Sequence, residues 1–250
     1  MKKVRLTLAI AAAATVATLW PAVSQAELAF NVGAVTDYRY RGISQSRLKP
    51  ALQGGLDFTA GGFYLGTWAS TIKWIEDGNA KSSNKIELDL YGGYKGDIVK
   101  DSLSYDVGVL AYQYPGHKAG AAGLTSPNTT EIYGALTFGP ATLKYSHSVT
   151  NLFGFSDSKN SSYLDLSASF DVGGGVLVAP HVGYQKVAHN GNYSYTDFAL
   201  GVSKDFNGLV PSLTLYATDT KKPGGSYAYV SPAGKNLGRT GIVLGVKYNF

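Results

Sequence analysis

The chain has 250 residues, among them 31 glycines, 18 tyrosines and one methionine, with no cysteine. The missing cysteine excludes disulfides, thiolate metal centres and a lipid anchor on an amino-terminal Cys. The net charge of +5 is no footprint for nucleic acid, since taking Lys2, Lys3 and Arg5 from the 22 basic residues leaves 19 against 17 acidic ones.

Those three basic residues open a segment with the features of a cleaved signal peptide. A charged start is followed by the apolar run "LTLAIAAAATVATLW", then Pro21 and the small-residue site Ser24-Gln25-Ala26. Cleavage after Ala26 is expected, leaving 27–250 as one domain, because no linker or shift in composition divides it.

From residue 27 onward the signal is alternation with a period of two, which marks strands with two unlike faces. In the first segment Leu28, Phe30, Val32, Ala34, Thr36, Tyr38 and Tyr40 oppose Asn31, Gly33, Asp37, Arg39 and Arg41. In the second Leu52, Leu56 and Phe58 oppose Gln53, Asp57 and Thr59, and a less decisive segment follows at 63–71. The fourth sets Ile86, Leu88, Leu90 and Tyr94 against Lys85, Glu87, Asp89 and Lys95. Further segments lie near 102–114, 129–138, 141–149, 162–171, 176–186, 194–204, 211–218 and 240–250. Pro180 interrupts the ninth, where it cannot donate to a ladder, so either a bulge or a displaced segment is expected there.

Twelve strands suit a closed antiparallel barrel, and the connections support it. Beginning with 42–49 and 60–62, they alternate long and short through to 219–239, as the two rims of an outer-membrane barrel do. With directions assigned from this rhythm, Phe30, Phe58, Tyr94, Tyr105, Phe138, Phe170, Tyr248 and Phe250 fall outward near the short-turn rim, an aromatic girdle. The opposite faces carry both signs of charge, which suits a wet lumen and not a dry core. The fold class expected is therefore all-β, a transmembrane up-and-down barrel of about 12 strands contacting outer-membrane lipids.

The last ten residues, "GIVLGVKYNF", form a strand ending on an aromatic residue. Gly245-x-x-Tyr248-x-Phe250 resembles the terminal signal that barrel-assembly machinery reads, although Val243 stands where a polar residue is usual. The stretches "TDYRYRGISQS" (36–46) and "PALQGGLDF" (50–58) resemble the opening hairpin of the TorF-type porin family, bacterial outer-membrane barrels of similar length. That resemblance implies a compartment and a fold more firmly than a substrate.

Charged residues on inward faces are the candidate pore lining: Asp37, Arg39, Arg41, Asp57, Lys85, Glu87, Asp89, Asp106, Glu131, Lys144, Asp165 and Lys247. Asp37, Arg39 and Arg41 are expected on the first strand near the long-loop rim, as a patch at the external mouth. Rings of charge sort ions, and mixed signs imply passage of small polar solutes with a weak ion preference.

Chemistry has less support. Barrel lipid hydrolases resemble one another in a His-x-Ser pair, whose spacing places both groups on one face. His147 has Ser146 and Ser148 on the opposite face and Val149 at the matching position, while His181 is followed there by Gly183. His117 and His189 fall in loops without a nucleophile. Gly173-Gly174-Gly175 has no following helix to complete a phosphate cradle, and Asp157 is alone in its loop, too few oxygens for a metal. No catalytic residue, cofactor or metal is expected; the alternative to a porin-like channel is a non-conducting barrel with a structural, adhesive or hydrolytic role.

Overall fold

The computed structural model describes residues 26–78, 83–117 and 125–250. The basic, apolar leader lies outside them. Alternation folds as expected into twelve strands: β1 Glu27–Val35, β2 Ala51–Ala60, β3 Phe63–Thr71, β4 Ile86–Val99, β5 Leu103–Gln113 and β6 Thr129–Phe138. Then come β7 Ala141–Ser148, β8 Ser162–Ala168 with its continuation Phe170–Asp171, β9 Val176–Lys186, β10 Tyr195–Lys204, β11 Leu209–Thr218 and β12 Gly241–Asn249.

Each strand pairs antiparallel with its chain neighbour, and β12 returns to β1 through Asn31↔Asn249 to Val35↔Gly245, closing the barrel. Closure leaves no edge to template aggregation. Short turns follow β2, β4, β6, β8 and β10; in the last, Asn207 and Gly208 both take positive φ, as a two-residue hairpin turn requires. The longer connections gather at the other rim, and the second of them carries the one-turn helix α1, Trp74–Gly78.

The outer surface is apolar along its height, with Leu28, Val32, Leu65, Leu136, Leu164, Leu213 and Leu244 all exposed. In water such a surface would be an aggregation liability; in hydrocarbon it is the solvated face. The expected girdle aromatics Phe30, Phe58, Tyr94, Phe138, Phe170, Tyr248 and Phe250 are exposed among them, while Tyr105 is half-buried against Tyr94. No described helix is long and apolar enough to cross a membrane.

Pro180 stays in β9, paired with Leu200, and the register across it holds from Ser167↔His181 to Phe170↔Val178. There is neither bulge nor displacement. Instead, β8 breaks at Ser169, beside the missing N–H of Pro180, and the Ser169 amide donates to Pro140 O (3.0 Å) across the other side. The true irregularity lies in β4, where the register shifts between Asp97 and Val99 and the strand runs past its expected end.

The first long connection departs from expectation. Strand β1 ends at Val35, and residues 36–50 fold back inside the barrel, carrying a hairpin of two-residue strands, Arg39–Tyr40 and Ile43–Ser44. Alternation continues through "TDYRYR" because this hairpin is itself extended, so period alone could not show that the chain had left the wall. Asp37 makes the bend: its carboxylate accepts from Ser44 Oγ (2.5 Å), Ser46 Oγ (3.2 Å) and Arg39 Nε (2.8 Å), while Ser46 Oγ accepts from the Tyr38 amide (2.9 Å).

Candidate functional site

The lumen is built from the inward positions of all twelve strands. Its short-turn half is a lattice of tyrosines, carboxylates and lysines. Tyr91 donates to Asp57 Oδ1 (2.5 Å), Tyr64 donates to Asp106 Oδ1 (2.5 Å) and is bonded to Tyr133, and Lys144 Nζ lies 3.8 Å from the centre of the Tyr133 ring. The rings lie flat because glycines face them from adjacent strands. A Cβ on Gly66, Gly93 or Gly108 would strike Tyr91, Tyr64 or Tyr133 respectively. This is one use of the high Tyr and Gly content. Lys95 is the cross-strand partner of Asp106, and Lys247 lies inward on β12.

Midway up, His181 sits between two carboxylates, with Nδ1 2.6 Å from Asp165 Oδ2 and Nε2 2.9 Å from Asp197 Oδ1. Tyr163 donates to Asp197 Oδ2 (2.9 Å). An imidazole with a carboxylate on each nitrogen is a charged knot, with neither nitrogen free to serve a nucleophile. The sequence marks this residue only as a base without a nucleophile; the signal for its carboxylate partners was its inward parity on β9, opposite Ser167 on β8 and two residues from Asp165 in register. His147 points outward instead, against Tyr145 and Asn160 Oδ1 (3.2 Å).

The hairpin crosses the lumen above this knot. Its tip, Arg41-Gly42, takes positive φ at both residues (46° and 77°), the geometry of a tight hairpin turn. Gly42 is pressed to the wall at β10 and β11: a Cβ there would meet Thr218 Cγ2 at 2.6 Å and Asp197 Cβ at 2.9 Å. Arg41 donates through both terminal nitrogens to Glu131 (3.0 and 2.7 Å) and through Nη1 to Gln185 Oε1 (2.7 Å). Its guanidinium also stacks 4.1 Å from the Tyr163 ring and 4.7 Å from Tyr40. Burial works against the Arg41 charge, but Glu131 outweighs it and holds the guanidinium protonated above its ordinary range. Arg39 ties the base of the hairpin to the last long loop, donating from Nη1 to Arg239 O (2.6 Å).

Three expected lining residues therefore need correction. Asp37, Arg39 and Arg41 do not line β1; they belong to the inserted hairpin, and the first two are spent on holding its shape. Lys85 is displaced as well. It precedes β4, is largely exposed, and lies with Lys73 against Glu76 (3.6 and 2.9 Å), whose carboxyl the Lys73 hydrogen bond holds below its usual range. Glu87, Asp89 and Glu131 do face inward and are buried. Glu87 accepts from Tyr38 (2.5 Å) and Tyr114 (2.8 Å), while Asp89 Oδ1 is buried without a hydrogen-bond partner among the described residues. Of the expected assembly residues, Tyr248 and Phe250 meet edge to face on the outer surface (4.9 Å), and Gly245 turns inward against Ser212.

Two solved structures share this architecture. A KdgM porin in complex with disordered oligogalacturonate superposes with a TM-score of 0.55 at 9% identity, over 90% of this chain and 99% of that one. A NanC porin does so with a TM-score of 0.53 at 12% identity, over 90% and 99%. At such identities the likeness is one of fold. No curated protein matches the sequence. The family model described as a bacterial protein of unknown function (Gcw_chp) matches residues 21–250, and the chain belongs to that family.

Proposed function

We propose that the protein is an outer-membrane porin-like channel through which small polar solutes or ions diffuse, restricted by its inserted hairpin. The observation that carries this reading is the contrast between the two faces of one closed wall. The outside is apolar, while the inside holds charged and hydroxyl groups from Lys247 and Asp57 near one rim to Glu87 and Glu131 toward the other. A purely structural barrel has no use for so many ionisable groups at a desolvation cost. The fold shared with the KdgM and NanC porins supports the reading, as does the resemblance of 36–58 to TorF-type porins. On this reading the short turns face the periplasm and the long loops the exterior.

The lumen favours cations. Asp57, Glu87, Asp89, Asp106, Glu131, Asp165 and Asp197 face inward against Arg41, Lys95, Lys144, Lys247 and His181. No continuous basic track crosses the described lumen, so neutral and cationic solutes fit better than acidic oligosaccharides. Folded protein in a planar bilayer with a salt gradient tests both points: stepwise conductance is expected, with a zero-current potential on the cation side.

The non-conducting barrel is favoured by a specific observation, the hairpin clamped across the lumen by Arg41. Twelve strands lie between barrels filled by their own side chains and those that leave a channel open. Absence of conductance from folded protein, persisting after the hairpin is removed, would decide for this second reading.

A further inference from the structure

Above the hairpin, among the long loops, lies a cavity of about 420 Å³, within the range of small-molecule sites. Its floor is the hairpin, through Tyr40, Ile43 and Ser44. One wall is a preassembled aromatic group in which Trp74 meets Tyr114 edge to face (5.1 Å) and Phe153 meets Tyr112 (5.1 Å) and Tyr40 (5.4 Å). The facing wall is Phe155, Tyr195 and Tyr229, with Tyr195 and Tyr229 5.3 Å apart. Rings held by one another present their faces without further ordering cost.

Two polar features distinguish this space from an apolar void. The indole N–H of Trp74 is buried and, among the described residues, has no hydrogen-bond partner, on a side chain that lines the cavity. Such a donor costs free energy unless something accepts from it. Glu87 also lines the cavity, and among the described residues it forms no ion pair, only the bonds from Tyr38 and Tyr114. The other lining carboxylate, Asp77, is already paired with Arg47, and among the described residues no lysine or arginine lines the cavity.

We propose that this cavity binds a small organic cation, an alkylated ammonium compound carrying an oxygen acceptor. Aromatic faces and an unpaired carboxylate attract a weakly hydrated positive group, and the oxygen accepts from the Trp74 N–H. Among the described lining residues, anionic ligands meet no positive partner. The site is independent of whether the barrel conducts, because it lies on the loop side of the hairpin and can be measured at equilibrium in detergent.

The test is calorimetric titration of folded, detergent-solubilised protein with choline, its tert-butyl isostere in which carbon replaces the charged nitrogen, and maltose. Choline should bind, and the isostere at least about tenfold more weakly, the loss of about 1.4 kcal/mol of cation–π and carboxylate attraction. Trp74→Phe keeps a ring and removes the donor, so it should weaken choline about fivefold; Glu87→Gln should weaken it about tenfold. Heat-modifiable migration on gels verifies folding of each variant, and Trp74→Phe, the milder change, carries the test if Glu87→Gln fails to fold. Equal binding of the isostere, tighter binding of maltose, or no choline binding by the folded wild-type protein overturns the proposal. These results leave the conductance reading untouched, just as an absence of conductance leaves this one.

Discussion

Replacing Arg41 with alanine should unseat the hairpin. The side chain is 8% exposed and Glu131 2%, so the pair is desolvated, and removing one member of such a pair costs about 3–5 kcal/mol because the other is left uncompensated. Three charge-assisted hydrogen bonds at about 1.5 kcal/mol each lead to the same range. Water entering the vacated lumen rehydrates Glu131, so the lower end applies, about 3 kcal/mol. At 1.4 kcal/mol per decade this shifts the docked-to-undocked ratio by about a hundredfold. Single-channel recording in planar bilayers reads this directly: open dwell times lengthen, and a larger conductance level appears as the hairpin leaves the lumen. Arg41→Lys keeps the charge but loses the two-pronged contact and the stack, so it should fall between. If folded Arg41→Ala barrels show the wild-type conductance and dwell-time distribution, the hairpin does not control the conducting path.

Other perturbations follow from the same geometry. Gly42→Ala forces a side chain into the left-handed region, about 1–2 kcal/mol, and into Thr218 and Asp197; limited trypsin digestion should then cut at Arg39 or Arg41 while the barrel stays intact. Asp57→Lys should move the zero-current potential toward anions; an unchanged potential would place Asp57 outside the conducting path. Phe250→Asp sets a charge beside Tyr248 on the outer face and should lower the yield of heat-modifiable protein in the outer membrane, whereas Phe250→Tyr should not. Glu76 titrates below its ordinary value, so its bonds to Lys73 and Lys85 are complete above about pH 4.3 and are lost as pH falls through the lowered value. Fluorescence of Trp74, two residues away, should therefore hold steady down to that pH and change only in stronger acid.

The wall was legible in the sequence because alternation, loop rhythm and outward aromatics all report one condition, lipid on one side and water on the other. Pro180 was correctly seen as an obstacle, but its remedy was not: the neighbouring strand breaks at Ser169, and only pairing shows this. The hairpin escaped for a different reason. An extended segment alternates whether it lies in the wall or in the lumen, and residues 36–44 kept the parity of β1. What distinguished them was local chemistry: Asp37 with Ser44 and Ser46 to fold the bend, and Arg41-Gly42 to turn the tip. Lys85 failed through parity too, being counted onto a strand that begins one residue later. Arg41 with Glu131 and His181 with Asp165 and Asp197 are meetings across strands, and no single-strand pattern encodes them.

The reach of the hairpin also orders events in time. Its tip, early in the chain, is held by Glu131 and Gln185, and its base by the carbonyl of Arg239. These partners are 90, 144 and, for Arg39 with Arg239, 200 residues distant. No hairpin can dock before the strands that seat it have been laid side by side. Docking of the hairpin therefore waits on β6, β9 and the last long loop, the parts of the chain that carry its partners. A defect at Arg41 or Gly42 would produce barrels that insert normally and leak, while a defect at the seam would produce too few barrels.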